Sequence, residues 1–127
     1  MAPPIFIALS ALVVSIFPGM RTDSDKLLNL FGAGKTKEIA AYFNPSVQLT
    51  TPGKEGVYSR SQARMILADF FSENTPADCK LQNQGNSDNG AHFLIMNLKT
   101  SQQDFKVSLF YRGSGQSIRI HELKIEK

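Results

Sequence analysis

The chain has 127 residues, 42% hydrophobic and 20% charged, a length and composition that suit one globular domain and exclude a disordered polypeptide. Its formal charge is +3, with 14 Lys and Arg scattered singly among 11 Asp and Glu. No basic stripe is laid down along the sequence for a phosphate backbone, so nucleic acid is not expected as a partner.

The first part of the chain differs from the rest. "IFIALSALVVSIF", Ile5 to Phe17, is a continuous apolar run, and no charged side chain precedes Arg21. Such a run fits the apolar region of a secretory signal, about 7–15 residues, and falls short of a membrane span of about 20. No Lys or Arg leads it and no A-x-A site follows it. Residues 1–20 are therefore expected to be an export signal or an uncleaved N-terminal anchor, which makes the protein periplasmic or secreted. Membrane contact is expected only in the anchored case. Lipid attachment at an N-terminal cysteine is excluded, since Cys79 is the only cysteine.

A single domain is expected over residues 22–127. In "TDSDKLLNLF", Leu27, Leu28, Leu30 and Phe31 fall near one helical face, with Asp23 or Ser24 as the cap. "GAG", Gly32 to Gly34, breaks that helix. A second helix, "KTKEIAAYFN", turns Ile39, Ala40 and Phe43 inward and stops at Asn44-Pro45. "SVQLTTPG" alternates Val47, Leu49 and Thr51, and after the turn "PGKEG" a second short strand reads "GVYS".

"SRSQARMILADFFSEN" is the clearest helix, opened by Ser59 and Gln62 at capping-box spacing. Ala63, Ile66, Leu67, Phe70 and Phe71 form a stripe wide enough to cover a sheet. Four strands follow: "CKLQNQG", "AHFLIMNLK", "FKVSLFYR" and "SIRIHELKIE". Short turns join them, including Asn89-Gly90, where both residues tolerate positive φ, so an antiparallel meander is predicted. The fold class is α+β: two N-terminal helices, a short hairpin, a long helix, then a curved four-stranded antiparallel meander, with helices on the concave side.

This order resembles the nuclear-transport-factor-2-like (cystatin-like) cone. "YFNPSVQLTTPGKEGVYSRSQARMILADFF" and the closing "LKIEK" resemble a family of small exported bacterial proteins, domain of unknown function 4783. The "PGKEGVYS" turn and the "QA..IL.DFF" helix carry the resemblance, which covers Ser24 to Lys127. It implies the cone fold and export, and it brings no catalytic residue with it. The N-terminus departs from the family's usual Lys-led signal.

Few residues suggest chemistry. "FGAGKTKE", Phe31 to Glu38, ends like a phosphate-binding loop, but Asn29 stands where the first glycine belongs and a helix, not a strand, precedes it. No nucleotide is expected there. His92 and His121 have no partner at i+2 or i+4, so neither a metal nor another cofactor is expected. Cys79 reads as a small buried side chain. A cone enzyme would need a carboxylate base and a proton donor in an apolar cavity. Asp69, Asp104 and Glu122 all read as solvent-facing, which leaves Tyr58, Tyr111 and His121 as pocket candidates without an acid, and no catalytic residue is assigned.

"FLIMNL" and "VSLFY" are apolar at neighbouring positions, so both faces of the sheet are partly apolar where a wet face should alternate. One face packs on helices and the other is expected to meet a second copy. The sequence thus reads as a non-enzymatic binding or dimerising module, with a small ligand in the cone as a further expected partner. The alternative is a small-molecule enzyme using the cone cavity.

Overall fold

A computed structural model describes residues 22–127, and those residues form three α-helices and one six-stranded sheet. The apolar run Ile5 to Phe17 lies outside the described residues. Helix α1 spans Asp23–Gly32 and is capped by Thr22, one residue earlier than expected. The Thr22 hydroxyl accepts from Asp25 N at 3.1 Å, and the Asp25 carboxylate accepts from Thr22 N at 3.4 Å. Asp23 and Ser24 are thereby free for longer-range bonds: Asp23 accepts from Gly115 N, and Ser24 donates to Gln84.

The glycine break falls where the sequence puts it. Gly34 has φ +64°, a conformation that costs other L-residues about 1–2 kcal/mol. A Cβ there would also stand 2.8 Å from Pro76 Cγ. Helix α2, Thr36–Ala41, is shorter than expected. It ends before Asn44 because strand β1, Phe43–Thr51, begins at once: Ile120 N donates to Tyr42 O at 2.7 Å and Phe43 pairs with Ile120. Pro45 is tolerated inside β1 because the register with the neighbouring strand shifts between Phe43 and Gln48, where no ladder donor is needed.

β1 turns through Pro52 and Gly53 alone into β2, Lys54–Ser59, a tighter hairpin than the five-residue turn expected. Helix α3, Arg60–Glu73, has the predicted capping box: Ser59 Oγ accepts from Gln62 N at 3.2 Å and Gln62 Oε1 accepts from Ser59 N at 3.0 Å. Ala63, Leu67, Phe70 and Phe71 are buried. Strands β3 (Pro76–Asn86), β4 (Ala91–Thr100), β5 (Asp104–Arg112) and β6 (Arg119–Glu126) form the predicted antiparallel meander. The β3–β4 connection departs from expectation, because only Gly90 of the Asn89-Gly90 pair has positive φ, +84°. With Gly90 N donating to Ser87 O and Ser87 N to Ala91 O, a three-residue loop ending in a left-handed glycine replaces the two-residue turn.

The strand order is β2-β1-β6-β5-β4-β3. The hairpin therefore extends the meander rather than standing apart, joined by parallel pairing of β1 with β6. Helix α1 packs on β3 and β4 and helix α3 on β1 and β2, while α2 bridges the two helices. Between the layers lies one core that includes Leu27, Phe31, Leu67, Leu94, Met96, Leu98 and Leu109, all inaccessible to solvent.

The break between α1 and α2 gives a direct prediction. Gly34→Ala should cost about 2–4 kcal/mol, combining the left-handed penalty with the collision against Pro76. Gly90→Ala, left-handed but with open space around it, should lose only the first part. Urea denaturation midpoints compare the two, and equal losses would contradict the packing of Pro76 against the break.

Candidate functional site

The three sequence candidates are not brought together. Tyr58 is half-buried on the outermost strand, beside Gly56, and borders a cleft of about 260 Å³ with Gln62, Ile66 and Asp69. Tyr111 is buried on β5, two strands beyond β1 in the sheet order. His121 is exposed at the register shift between β5 and β6. Among the described residues, none of the clefts named below brings two of them together.

Tyr111 instead meets residues the sequence left unconnected. Its ring lies against His92, centroids 5.0 Å apart, and His92 Nδ1 is 2.6 Å from Asn86 Oδ1. Nearby, Ser24 Oγ donates to Gln84 Oε1 at 2.6 Å, and Asp23 holds the Gly115 amide at 3.1 Å. Burial pushes the Tyr111 phenol above its usual range, the Asp23 charge adds to this, and the Ser24 hydroxyl pulls weakly the other way. Ser24 ties the start of α1 to β3, Asp23 ties it to the turn before β6, and His92 links β4 to β3. The arrangement is an anchor, with a His–Tyr pair at its centre. Its members are spaced irregularly over 90 residues, so no local motif could have signalled it.

The mouth of the cone is a cleft of about 350 Å³ between the end of α3 and the sheet. Phe70 and Phe105 form its floor, and Asp69, Glu73, Lys54 and Lys127 stand around the rim. Deeper entry is blocked by side chains. Phe70 meets Phe105 edge-on at 4.9 Å and Phe71 at 5.7 Å, and Phe71 meets Phe31 at 6.4 Å. The rim carboxylates are exposed, and the buried polar side chains among the described residues are Thr51, Thr100 and Ser108. Within that same set no three His, Cys, Asp or Glu side chains gather as a metal site.

The outer face of the sheet is partly apolar, as the strand pattern predicted. Cross-strand partners share a face, so one row runs Gly85, Phe93, Phe110, Glu122, Gln48, Val57. A second runs Asn83, Ile95, Ser108, Lys124, Thr50, Glu55. Phe93 folds its ring over Gly85, where a Cβ would collide with it, so the sheet covers part of its own apolar surface. Phe110 remains 44% exposed and Val57 70%.

Cys79 is half-buried on β3 against Gly32 at the end of α1. Burial, with the Asp78 charge in support, pushes its thiol from 9.0 up to about 12. It is therefore a packing thiol rather than a nucleophile.

Helices on one face of a curved six-stranded sheet, with a filled interior and a shallow mouth, define an α+β cone of the nuclear-transport-factor-2-like class. A designed NTF2 protein with a long sheet aligns at TM-score 0.65 and 10% identity, over 80% of this chain and 94% of its own, a likeness of fold alone. A family model described as domain of unknown function (DUF4783) matches residues 24–126, and the chain belongs to that family. It is similar to a DUF4783 family protein from Bacteroides ovatus, 25% identical, covering 80% of this chain and 91% of that one at TM-score 0.73. It is also similar to one from Bacteroides uniformis, 27% identical, covering 80% and 93% at TM-score 0.72. No protein with a curated description matches it.

Cys79 and Tyr111 make stability depend on alkaline pH. Both are held neutral by the fold, so the unfolded chain loses these protons first. Their contribution is full below about pH 9 and is lost as pH rises toward 12. Urea midpoints should fall over that interval, and a Cys79→Ala, Tyr111→Phe double variant should flatten the slope. A slope unchanged in the double variant would contradict the assignment.

Proposed function

We propose that the protein is an exported binding module that pairs with a second copy through the outer face of its sheet and carries out no enzymatic turnover. The observation that carries this reading is the exposed Phe110 beside Ile95 and Phe93, on strands whose other face is already packed under helices. Monomeric proteins rarely leave a contiguous apolar patch open, and a two-fold axis lets the patch cover itself.

The surrounding charges favour self-association. On the outer face, Glu122, Lys124 and Glu126 alternate along β6, and Lys106 faces Glu126. A two-fold axis passing between Glu122 and Lys124 would set each Lys124 against the other copy's Glu122. For the non-enzymatic reading the support is the Phe70, Phe71 and Phe105 packing, together with the absence of Asp or Glu from the buried side chains among the described residues. A small-molecule enzyme in the cone needs a desolvated base, and a rim carboxylate in water lacks the environment that tunes one. Export rests on the Ile5 to Phe17 run.

Sedimentation velocity on residues 22–127 should give a dimer at tens of micromolar, and Phe110→Lys should give a monomer with a nearly unchanged thermal midpoint. A strictly monomeric parent protein contradicts the pairing. Intact mass after export checks the leader: loss of roughly 15–20 residues marks a cleaved signal, and full mass in the membrane fraction marks an anchor.

A further inference from the structure

The fold gathers three cations that the sequence scatters. A cavity of about 580 Å³ opens between α2 and the start of α3, with Lys37 from α2 and Arg60 and Arg64 from α3 around it. Ala40, Ala41 and Pro45 supply an apolar wall, and no carboxylate lines it. The volume is that of a small-molecule pocket.

The arrangement runs against local electrostatics. Arg60 and Arg64, at i and i+4, share one side of the helix and repel each other. Arg60 stands in the first turn, where a helix favours anions, and that turn holds no acidic residue. One of the two is already positioned: Arg60 Nε donates to Phe43 O at 2.9 Å, which fixes the guanidinium plane and leaves its terminal NH₂ groups to act as donors. Positive charges set against their own helix, on an apolar wall and without a carboxylate, call for an anion to complete them.

We propose that this cavity binds a small organic phosphate monoester, its oxyanion held by Arg60, Arg64 and Lys37 and its organic group resting on Ala40, Ala41 and Pro45. The paired guanidinium groups suit the several oxygens of a phosphate better than a single ammonium would. The site lies away from both the cone mouth and the outer sheet face, so it stands independently of the pairing of two copies.

Titration calorimetry on the protein in low salt tests it, with 1-naphthyl phosphate, inorganic phosphate and 1-naphthol as probes. Naphthyl phosphate should bind saturably, inorganic phosphate about tenfold more weakly, and naphthol not at all. Raising the salt should weaken binding, since the contacts are exposed. Arg64→Gln and Lys37→Gln, both on the surface, should each lower affinity about tenfold with an unchanged thermal midpoint, and Phe110→Lys should leave it intact. No binding of naphthyl phosphate, or binding untouched by both cavity variants, overturns the proposal. A phosphate headgroup presented by a lipid is the other source of this chemistry. Flotation with phosphatidic acid vesicles, whose headgroup is a phosphate monoester, that succeeds where naphthyl phosphate fails would overturn the assignment to a soluble ligand.

Discussion

The seating of α3 against the sheet is the contact on which the rest of the molecule depends. Leu67, Phe70 and Phe71 are buried there, worth about 1.5–3 kcal/mol apiece by removal from water. Their ring contacts with Phe31 and Phe105 add about 0.5–1.5 kcal/mol each. Because aromatic side chains do this work, the interior that a cone could leave hollow is occupied. The same packing places Asp69 and Glu73 at the rim, in water.

Much follows from that filled interior. With the core closed, the proposed recognition falls to the surface, where two areas of contrasting chemistry stand out. One is the outer sheet face, apolar around Phe110 and bordered by alternating Glu and Lys. The other is the cleft beside the start of α3, cationic and without an acid. The His92–Tyr111 cluster lies apart from both, with His92 bonded to Asn86 across the sheet and Ser24 and Asp23 holding the start of α1 beside it.

The parts of this structure legible in the sequence are those set by short-range rules. Ser59 and Gln62 announced the start of α3, its stripe named the buried face, and four spaced strands gave the meander. What escaped depends on distance. Parallel pairing of β1 with β6 joins segments some 75 residues apart, and nothing local records it. That pairing also ended α2 early and drew Pro45 into a strand, overriding the proline signal. Thr22 capped α1 ahead of Asp23 because Asp25 completes a reciprocal pair with it and not with its neighbours.

Site residues were harder to read for the same reason. Tyr58, Tyr111 and His121 were plausible as single residues, and the fold separates them. His92 carried no signal without Asn86 and Tyr111 beside it. Lys37, Arg60 and Arg64 read as dispersed surface charge until α2 and α3 were packed side by side. Even "FGAGKTKE" keeps a role: its glycines separate two helices, and its second lysine faces the cationic cleft.

The central claim is that the cone is filled. Methyl NMR with a small apolar probe such as benzene tests this most directly, using Leu67, Leu94 and Leu98 inside and Ile95 outside as reporters. Apolar cavities take up such probes, so a filled core should leave the inward methyls without a saturable shift. Saturable shifts at Leu67, Leu94 and Leu98 with Ile95 unmoved would mean an internal chamber, and would contradict the account.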